Sequence, residues 1–203
     1  MTAQTDPSDG ELLQSMLAGD EEALAALYQR RARDVYRFAL QMCGSQALAD
    51  DVTQEVFMVL IREGHNFDAA RGSVNAFLMG VARNHVLRRL RRERFYVAIE
   101  EDSNGDGLAK TSRTAENPLD DLSRTETIES VRRTVFALPE RYREVVVLCD
   151  LQEMSYVEAA EILGCAVGTV RSRLHRARAL LIDKLRPAAE EEAVEVKSAR
   201  CFA

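Results

Sequence analysis

Arg171, Arg173, Arg176 and Arg178 are crowded into one short stretch, with Thr169 and Ser172 between and before them. A guanidinium can fork onto two phosphate oxygens or bond the O6/N7 edge of guanine. The neighbouring hydroxyls can reach either kind of acceptor. A second set lies some eighty residues upstream, where Arg88, Arg89, Arg91, Arg92 and Arg94 crowd together and Arg83 precedes them. Ahead of that run is a polar loop containing Asn66, Phe67, Asp68, Arg71 and Ser73. A lone aromatic among polar groups beside a basic helix can hold an unstacked base. Both sets suit a polyanion. Neither suits catalysis: His65, His85 and His175 are isolated, and the chain has no P-loop, nucleophile elbow or metal-ligand spacing.

Side chains of this kind need rigid helices behind them. Residues 154–186 supply a pair. Ser155 and Glu158 fit the S-x-x-E capping box that opens a helix. Ala159 and Ala160 are small enough for two helices to cross closely, and Gly164 suits a turn that needs a positive φ. Val167, Val170, Leu174, Ala177 and Leu181 then form one apolar stripe of a longer helix, about residues 167–185. Thr169, Arg171, Ser172, Arg173 and Arg176 fall on other faces, free to meet base edges or phosphates. A short supporting helix, a tight turn and an arginine-bearing helix make a helix-turn-helix.

Helical periodicity continues upstream. A short apolar-faced helix is expected over residues 11–18, ended by Gly19, and Asp20 can cap the next. Leu24, Leu27, Tyr28, Val35, Phe38 and Met42 form one buried face over residues 21–42. A third helix, residues 47–62, points Val52, Val56, Val59 and Leu60 inward and Asp50, Asp51, Gln54 and Glu55 outward. A fourth, residues 73–94, buries Phe77, Leu78, Val81, Val86 and Leu90, with its arginines toward the C-terminal end that favours cations. Residues 99–122 show little periodicity and are expected to be a flexible linker. Pro139 suits the first turn of a helix over residues 140–151. The tail from Pro187 onward is expected to be loose. The fold class is all-α: two small helical bundles joined by an acidic linker.

Composition supports that division. The 203 residues are 46% hydrophobic with only four prolines, and the net charge of −6 conceals a strong pattern. Residues 71–94 hold seven arginines against Glu93 alone, whereas residues 100–129 hold nine acids against Lys110, Arg113 and Arg124. Local field, not net charge, governs attraction to a polyanion. No apolar run approaches the ~20 residues needed to span a bilayer, and the polar N-terminus resembles no secretory signal, so a cytoplasmic protein without membrane insertion is expected. Cys43, Cys149, Cys165 and Cys201 are widely spaced, which argues against zinc or redox chemistry. The first three sit among apolar neighbours, as packing residues would.

Four motifs in order carry a family resemblance. They are DDVTQEVF (residues 50–57), FDAARGSVNAFLMGVARN (residues 67–84), LPERYREVVVL (residues 138–148) and MSYVEAAEILGCAVGTVRSRLHRAR (residues 154–178). Together they resemble bacterial RNA polymerase sigma factors of the extracytoplasmic-function (ECF) type in the sigma-70 family, over about residues 10–186. The resemblance implies a domain at 10–95 that binds core RNA polymerase and the −10 element, an acidic linker at 96–124, a −35-binding helix-turn-helix domain at 125–186, and a tail at 187–203. It implies that Asp51, Gln54, Glu55 and Phe57 dock on the polymerase clamp helices, with a second polymerase contact at the flap. It gives Asn66, Phe67, Asp68, Arg71 and Ser73 to capture of a flipped base, and Asn75, Arg83, Asn84 and Arg88 to the helix facing the −10 DNA. Thr169, Arg171, Ser172, Arg173 and Arg176 would face the −35 DNA. No enzymatic activity, cofactor or metal is implied. Core polymerase, promoter DNA and an anti-sigma factor are the implied partners, and the acidic linker, Asp120 and Asp121 included, would thread near the polymerase cleft. The chain departs from the family at Phe77, where many members have Trp, and at Met79 and His85, which leaves −10 sequence preference open. A ligand-sensing helix-turn-helix regulator would explain the C-terminal motif but not DDVTQEVF or the upstream arginines.

Overall fold

The computed structural model describes residues 6–70, 72–101 and 122–200, with side chains placed over 6–70, 72–92 and 128–185. All regular structure among them is helical. The N-terminal unit comprises α1 (Asp9–Leu17), α2 (Glu21–Cys43), α3 (Gln46–Glu63), a 3-10 turn (Gly64–Asn66) and α4 (Val74–Glu101). The C-terminal unit comprises α5 (Leu122–Phe136), α6 (Glu140–Val146), a π turn (Val147–Leu151), α7 (Tyr156–Leu163) and α8 (Val167–Arg200).

Local chemistry sets most boundaries. Ser8 and Glu11 form a capping box at α1. The Asp20 carboxylate accepts from the amides of Glu22 at 2.9 Å and Ala23 at 3.2 Å, which starts α2, and Gly44 ends it in the left-handed region. Ser155 and Glu158 form the expected capping box at α7, and Gly164 closes that helix at φ 61°. These contacts satisfy backbone groups that a helix end leaves without intrahelical partners. In the N-terminal unit Leu13, Leu27, Phe38, Met42, Leu60 and Leu78 are fully buried. In the C-terminal unit Val170, Leu174 and Ala177 of α8 are buried as their spacing predicts.

Several sequence expectations need correction. Tyr28 does not join the buried face: it is 45% exposed, its ring centroid 4.7 Å from that of Phe57. The tyrosine sits at the rim of the face, where its hydroxyl stays wet and its ring covers Phe57. Residues 140–151 are helical throughout but widen into a π turn after Val146. The expected loose tail is helical to Arg200, so α8 passes through Pro187. The Ala- and Glu-rich residues beyond it have high helix propensity and outweigh the one amide that proline lacks. Helix α4 likewise runs to Glu101 and α5 begins at Leu122, so both intrude on the expected linker; residues 102–121, with Asp120 and Asp121, lie outside the described residues.

The two units also pack on each other. Val145, Val146, Val147 and Leu148 are buried in succession, and a segment apolar on every side needs cover on every side. Helix α8 covers α6 from within the unit, and α2 contacts the π turn from across it. Arg143 of α6 donates to the Met42 carbonyl of α2 at 2.7 Å and to the Leu138 carbonyl at 3.1 Å, and also reaches the Phe136 carbonyl. Gln152 and Gln41 bond at 3.3 Å across the same junction.

Candidate nucleic-acid interfaces

Helix α8 presents its arginines as a consequence of burying its stripe. With Val170, Leu174 and Ala177 inward, Arg171, Ser172 and Arg176 are exposed, and Thr169 and Arg173 are half-buried. Ser172 Oγ donates to the Thr169 carbonyl at 3.0 Å. The Arg171 guanidinium lies 5.8 Å from the Tyr156 ring centroid, within cation–π reach. The Arg176 guanidinium beside Tyr142 holds that hydroxyl below its ordinary pKa. Arg178 behaves differently: it forks onto Asp150 at 2.6 and 3.1 Å. That pair ties α8 to the end of the π turn, so this arginine is already committed. Helix α8 thus carries five charged or hydroxyl groups off its buried stripe, three of them exposed, on a well-supported rod, which is the requirement for docking in a major groove.

The second interface is built on α4 and the loop before it. Ser73 opens the helix, its Oγ accepting from the Ala76 amide at 3.1 Å. Asp68 Oδ1 accepts from the Ala70 amide at 2.9 Å, so this side chain shapes the loop. Phe67 packs edge-on to Phe77 with centroids 5.9 Å apart, while Asn66 is exposed at the end of the 3-10 turn. Phe67, Ser73 and Asn75 line a cleft of about 710 Å³, together with Arg30 and Arg31 of α2. The Asn75 Oδ1 is buried without a hydrogen-bond partner. An orphaned acceptor is costly and marks where a donor group would be welcome. Asn84 and Arg88 are exposed further along α4. Arg71 lies outside the described residues.

Arg83 is the unexpected member. It is half-buried, and its Nε donates to Glu144 Oε1 of α6 at 2.6 Å. Ser73 Oγ likewise donates to Glu158 Oε1 of α7 at 3.0 Å. Glu158 is partly buried, which acts to raise its pKa. Hydrogen bonds from the Ser155 hydroxyl and amide and from Ser73 outweigh burial and hold it below the usual value. These partners lie 61 and 85 residues from Arg83 and Ser73, and no local pattern in the sequence connects them. Arg30 and Arg31 were also missed. Both bond to Asp9, which Ser8 and its capping box place at the start of α1.

The third expected surface lies on α3. Asp51, Gln54 and Glu55 are exposed along one side. Asp51 lies 3.8 Å from Arg89 of α4, a loose and exposed pair. Phe57 is not on that surface: it is 4% exposed, in the core against Tyr28. Its contribution is to fix α3 in place, and direct contact with a partner is closed to it in this conformation. Among the described residues no group of three or more His, Cys, Asp or Glu side chains could hold a metal ion, and no helix is long and apolar enough to cross a membrane.

Comparison with known proteins supplies the family. Residues 27–96 match the model of sigma-70 region 2 and residues 128–181 that of sigma-70 region 4. The chain is 30% identical over 172 residues to the ECF RNA polymerase sigma factor SigW of Bacillus subtilis (strain 168), covering 83% of this chain and 91% of that one. It is 35% identical over 183 residues to the ECF sigma factor SigM of Mycobacterium tuberculosis (strain H37Rv), covering 86% and 83%. Among solved structures, CnrH in complex with the cytosolic domain of CnrY matches with a TM-score of 0.66 at 25% identity, covering 89% of this chain and 99% of that one. The sigma factor RpoE of Bartonella quintana, solved with the anti-sigma factor NepR, shares the fold, with a TM-score of 0.62 at 23% identity over 78% of this chain and 94% of that one. With regions 2 and 4 both present in order and relatives matched along most of their length, the chain belongs to the ECF sigma factors of the sigma-70 family, which are factors of transcription initiation and not enzymes.

Proposed function

We propose that this sigma factor binds core RNA polymerase through the exposed side of α3, with Asp51, Gln54 and Glu55 at the clamp helices and Phe57 as buried support, and makes a second contact at the flap. It then directs the enzyme to promoters by engaging two DNA elements at once. Thr169, Arg171, Ser172, Arg173 and Arg176 of α8 meet the −35 element. Asn75, Arg83, Asn84 and Arg88 of α4 face the −10 element, and the loop of Asn66, Phe67, Asp68, Arg71 and Ser73 takes a flipped base. The observation that carries this reading is the solvent-facing side of α8, held out by its buried apolar stripe. The partly apolar cleft lined by Phe67, Ser73 and Asn75 supports the base-capture role.

No hydrolysis is needed for melting. Unstacking one base costs a few kcal/mol, which a fitted pocket can offset. The CnrH structure, solved with the cytosolic domain of CnrY, supports a protein partner for this chain too, which we take to be an anti-sigma factor. Run-off transcription with reconstituted polymerase on a genomic fragment pool tests the reading. Defined start sites are expected, with Arg173→Ala and Arg176→Ala losing the −35 footprint. Phe67→Ala should keep that footprint and lose open complexes. A transcript set identical with and without the protein would overturn it.

A further inference from the structure

Three carboxylates of the C-terminal unit sit on the face of the N-terminal unit that is proposed to meet the −10 DNA. Glu144, 4% exposed, holds Arg83 at 2.6 Å. Glu158 accepts from Ser73 at 3.0 Å and forms part of the lining of the cleft that Phe67 and Asn75 share. Glu161 lies over the loop as well, since a Cβ built on Gly72 would stand 2.9 Å from its Oε2. A carboxylate offers the charge and acceptor oxygens of a phosphodiester, and it bonds the same guanidinium and hydroxyl donors.

We propose that Glu144, Glu158 and Glu161 are an internal stand-in for DNA phosphate, and that the free chain masks its own −10 face with them until the C-terminal unit moves away. The inference rests on the reading of α4 and its preceding loop as the −10 interface. Its physical basis is competition. Arg83 Nε cannot donate to Glu144 and to a phosphate at once, and Glu158, bonded to Ser73, sets a negative charge on the lining of the cleft that a strand would enter. The masking groups are tethered to the surface they cover, so they compete at a high effective concentration. A protein competent to bind in only a fraction of its molecules shows an affinity lowered by that fraction. Glu158 is held in its charged form by Ser155, whose cap persists whether or not the units touch.

The test is the anisotropy of a fluorescein-labelled, mixed-sequence single-stranded DNA titrated with the full-length chain at low salt. The wild type is compared with Glu158→Gln and with Glu144→Gln/Glu158→Gln. Gln also serves at the third position of a capping box, so Glu158→Gln keeps α7 intact. A Glu21→Gln/Glu22→Gln variant gives the same change in net charge on an exposed helix start elsewhere. The double variant at 144 and 158 is expected to bind about tenfold more tightly than this charge control, with Glu158→Gln between them. Equal affinities for the two double variants would overturn the proposal. If circular dichroism shows that Glu144→Gln costs helix, Glu158→Gln alone decides, against a Glu22→Gln control. A parallel footprint of wild type with core polymerase separates the two levels. Protection at −10 with no gain in the free variants sinks the masking alone; no protection at −10 sinks the interface on which it depends.

Discussion

Replacing Arg143 tests how the two units are joined. The residue is 8% exposed, and its guanidinium meets three backbone carbonyls: Met42 at the end of α2, Phe136 at the end of α5, and Leu138 in the turn that follows. Carbonyls at helix C-termini lack intrahelical donors and carry partial negative charge, so a cation there satisfies both. The guanidinium also stacks 4.3 Å from the Phe136 ring centroid. Arg143→Met keeps the bulk and removes every donor. The Phe136 carbonyl belongs to an exposed residue and can take water, whereas the other two bonds are buried. Each orphaned buried acceptor costs about 1–3 kcal/mol. Returning the guanidinium to no desolvation offsets part of that. A net loss of about 3 kcal/mol follows. Arg143→Lys, which can point at one or two carbonyls but not fork across three, should lose roughly half as much. Urea unfolding of the full chain, followed by far-ultraviolet circular dichroism, measures both. An Arg143→Met variant within about 1 kcal/mol of wild type would mean that water serves these carbonyls equally well, and the account of the junction would be wrong.

Two further outcomes follow from single residues. At Gly164 a Cβ would meet nothing within 4 Å, so Gly164→Ala pays only for φ 61° and should lose about 1 kcal/mol by thermal melting, with Gly164→Asn losing less; equal losses for the two would point to a steric cause. Burial and the neighbouring Asp150 push the Cys149 thiol up to about 11, so at pH 8 its thiolate fraction should be roughly a hundredfold below that of an ordinary exposed thiol. Iodoacetamide alkylation of Cys149, followed by peptide mass spectrometry, should accelerate tenfold per pH unit up to about pH 10, and a plateau near pH 9 would contradict the burial argument.

What could be read from the chain divides by range of interaction. The Ser155–Glu158 capping box, the Asp20 cap and Gly164 act over two to four residues, and each appears where the sequence predicts it, whereas the Ser8–Glu11 box at α1 was not foreseen. The α8 stripe was legible because one helix face must be dry, and its arginines followed by elimination. Arg83 was legible as one of the basic residues of α4 but not as the partner of Glu144, because helical spacing says nothing about which acid arrives from another unit. The burial of Phe57 was not legible for a related reason: a motif records that residues occur together, not which of them packs and which is displayed. Helix α8 overran its expected end because proline removes only one bond, while the residues that follow it favour helix.

The junction between the units joins apolar contacts of α2 with α5 and the π turn to polar ones: Arg143 to the Met42 carbonyl, Gln152 to Gln41, Arg83 to Glu144, and Ser73 to Glu158. The exposed or half-buried groups among them, Ser73, Arg83 and Gln152, can exchange their partners for water with modest net change in free energy. The apolar stripe of α8, by contrast, is filled from within its own unit, against α5, α6 and α7. Interfaces within one chain that carry such a polar share permit relative motion of the parts. The two-element DNA reading proposed above requires such a division. Its reading surfaces must be rigid one by one, and the joint between them must yield to whatever fixes their separation. Here the caps and stripes supply the first property, and the same carboxylates that close the joint supply the second.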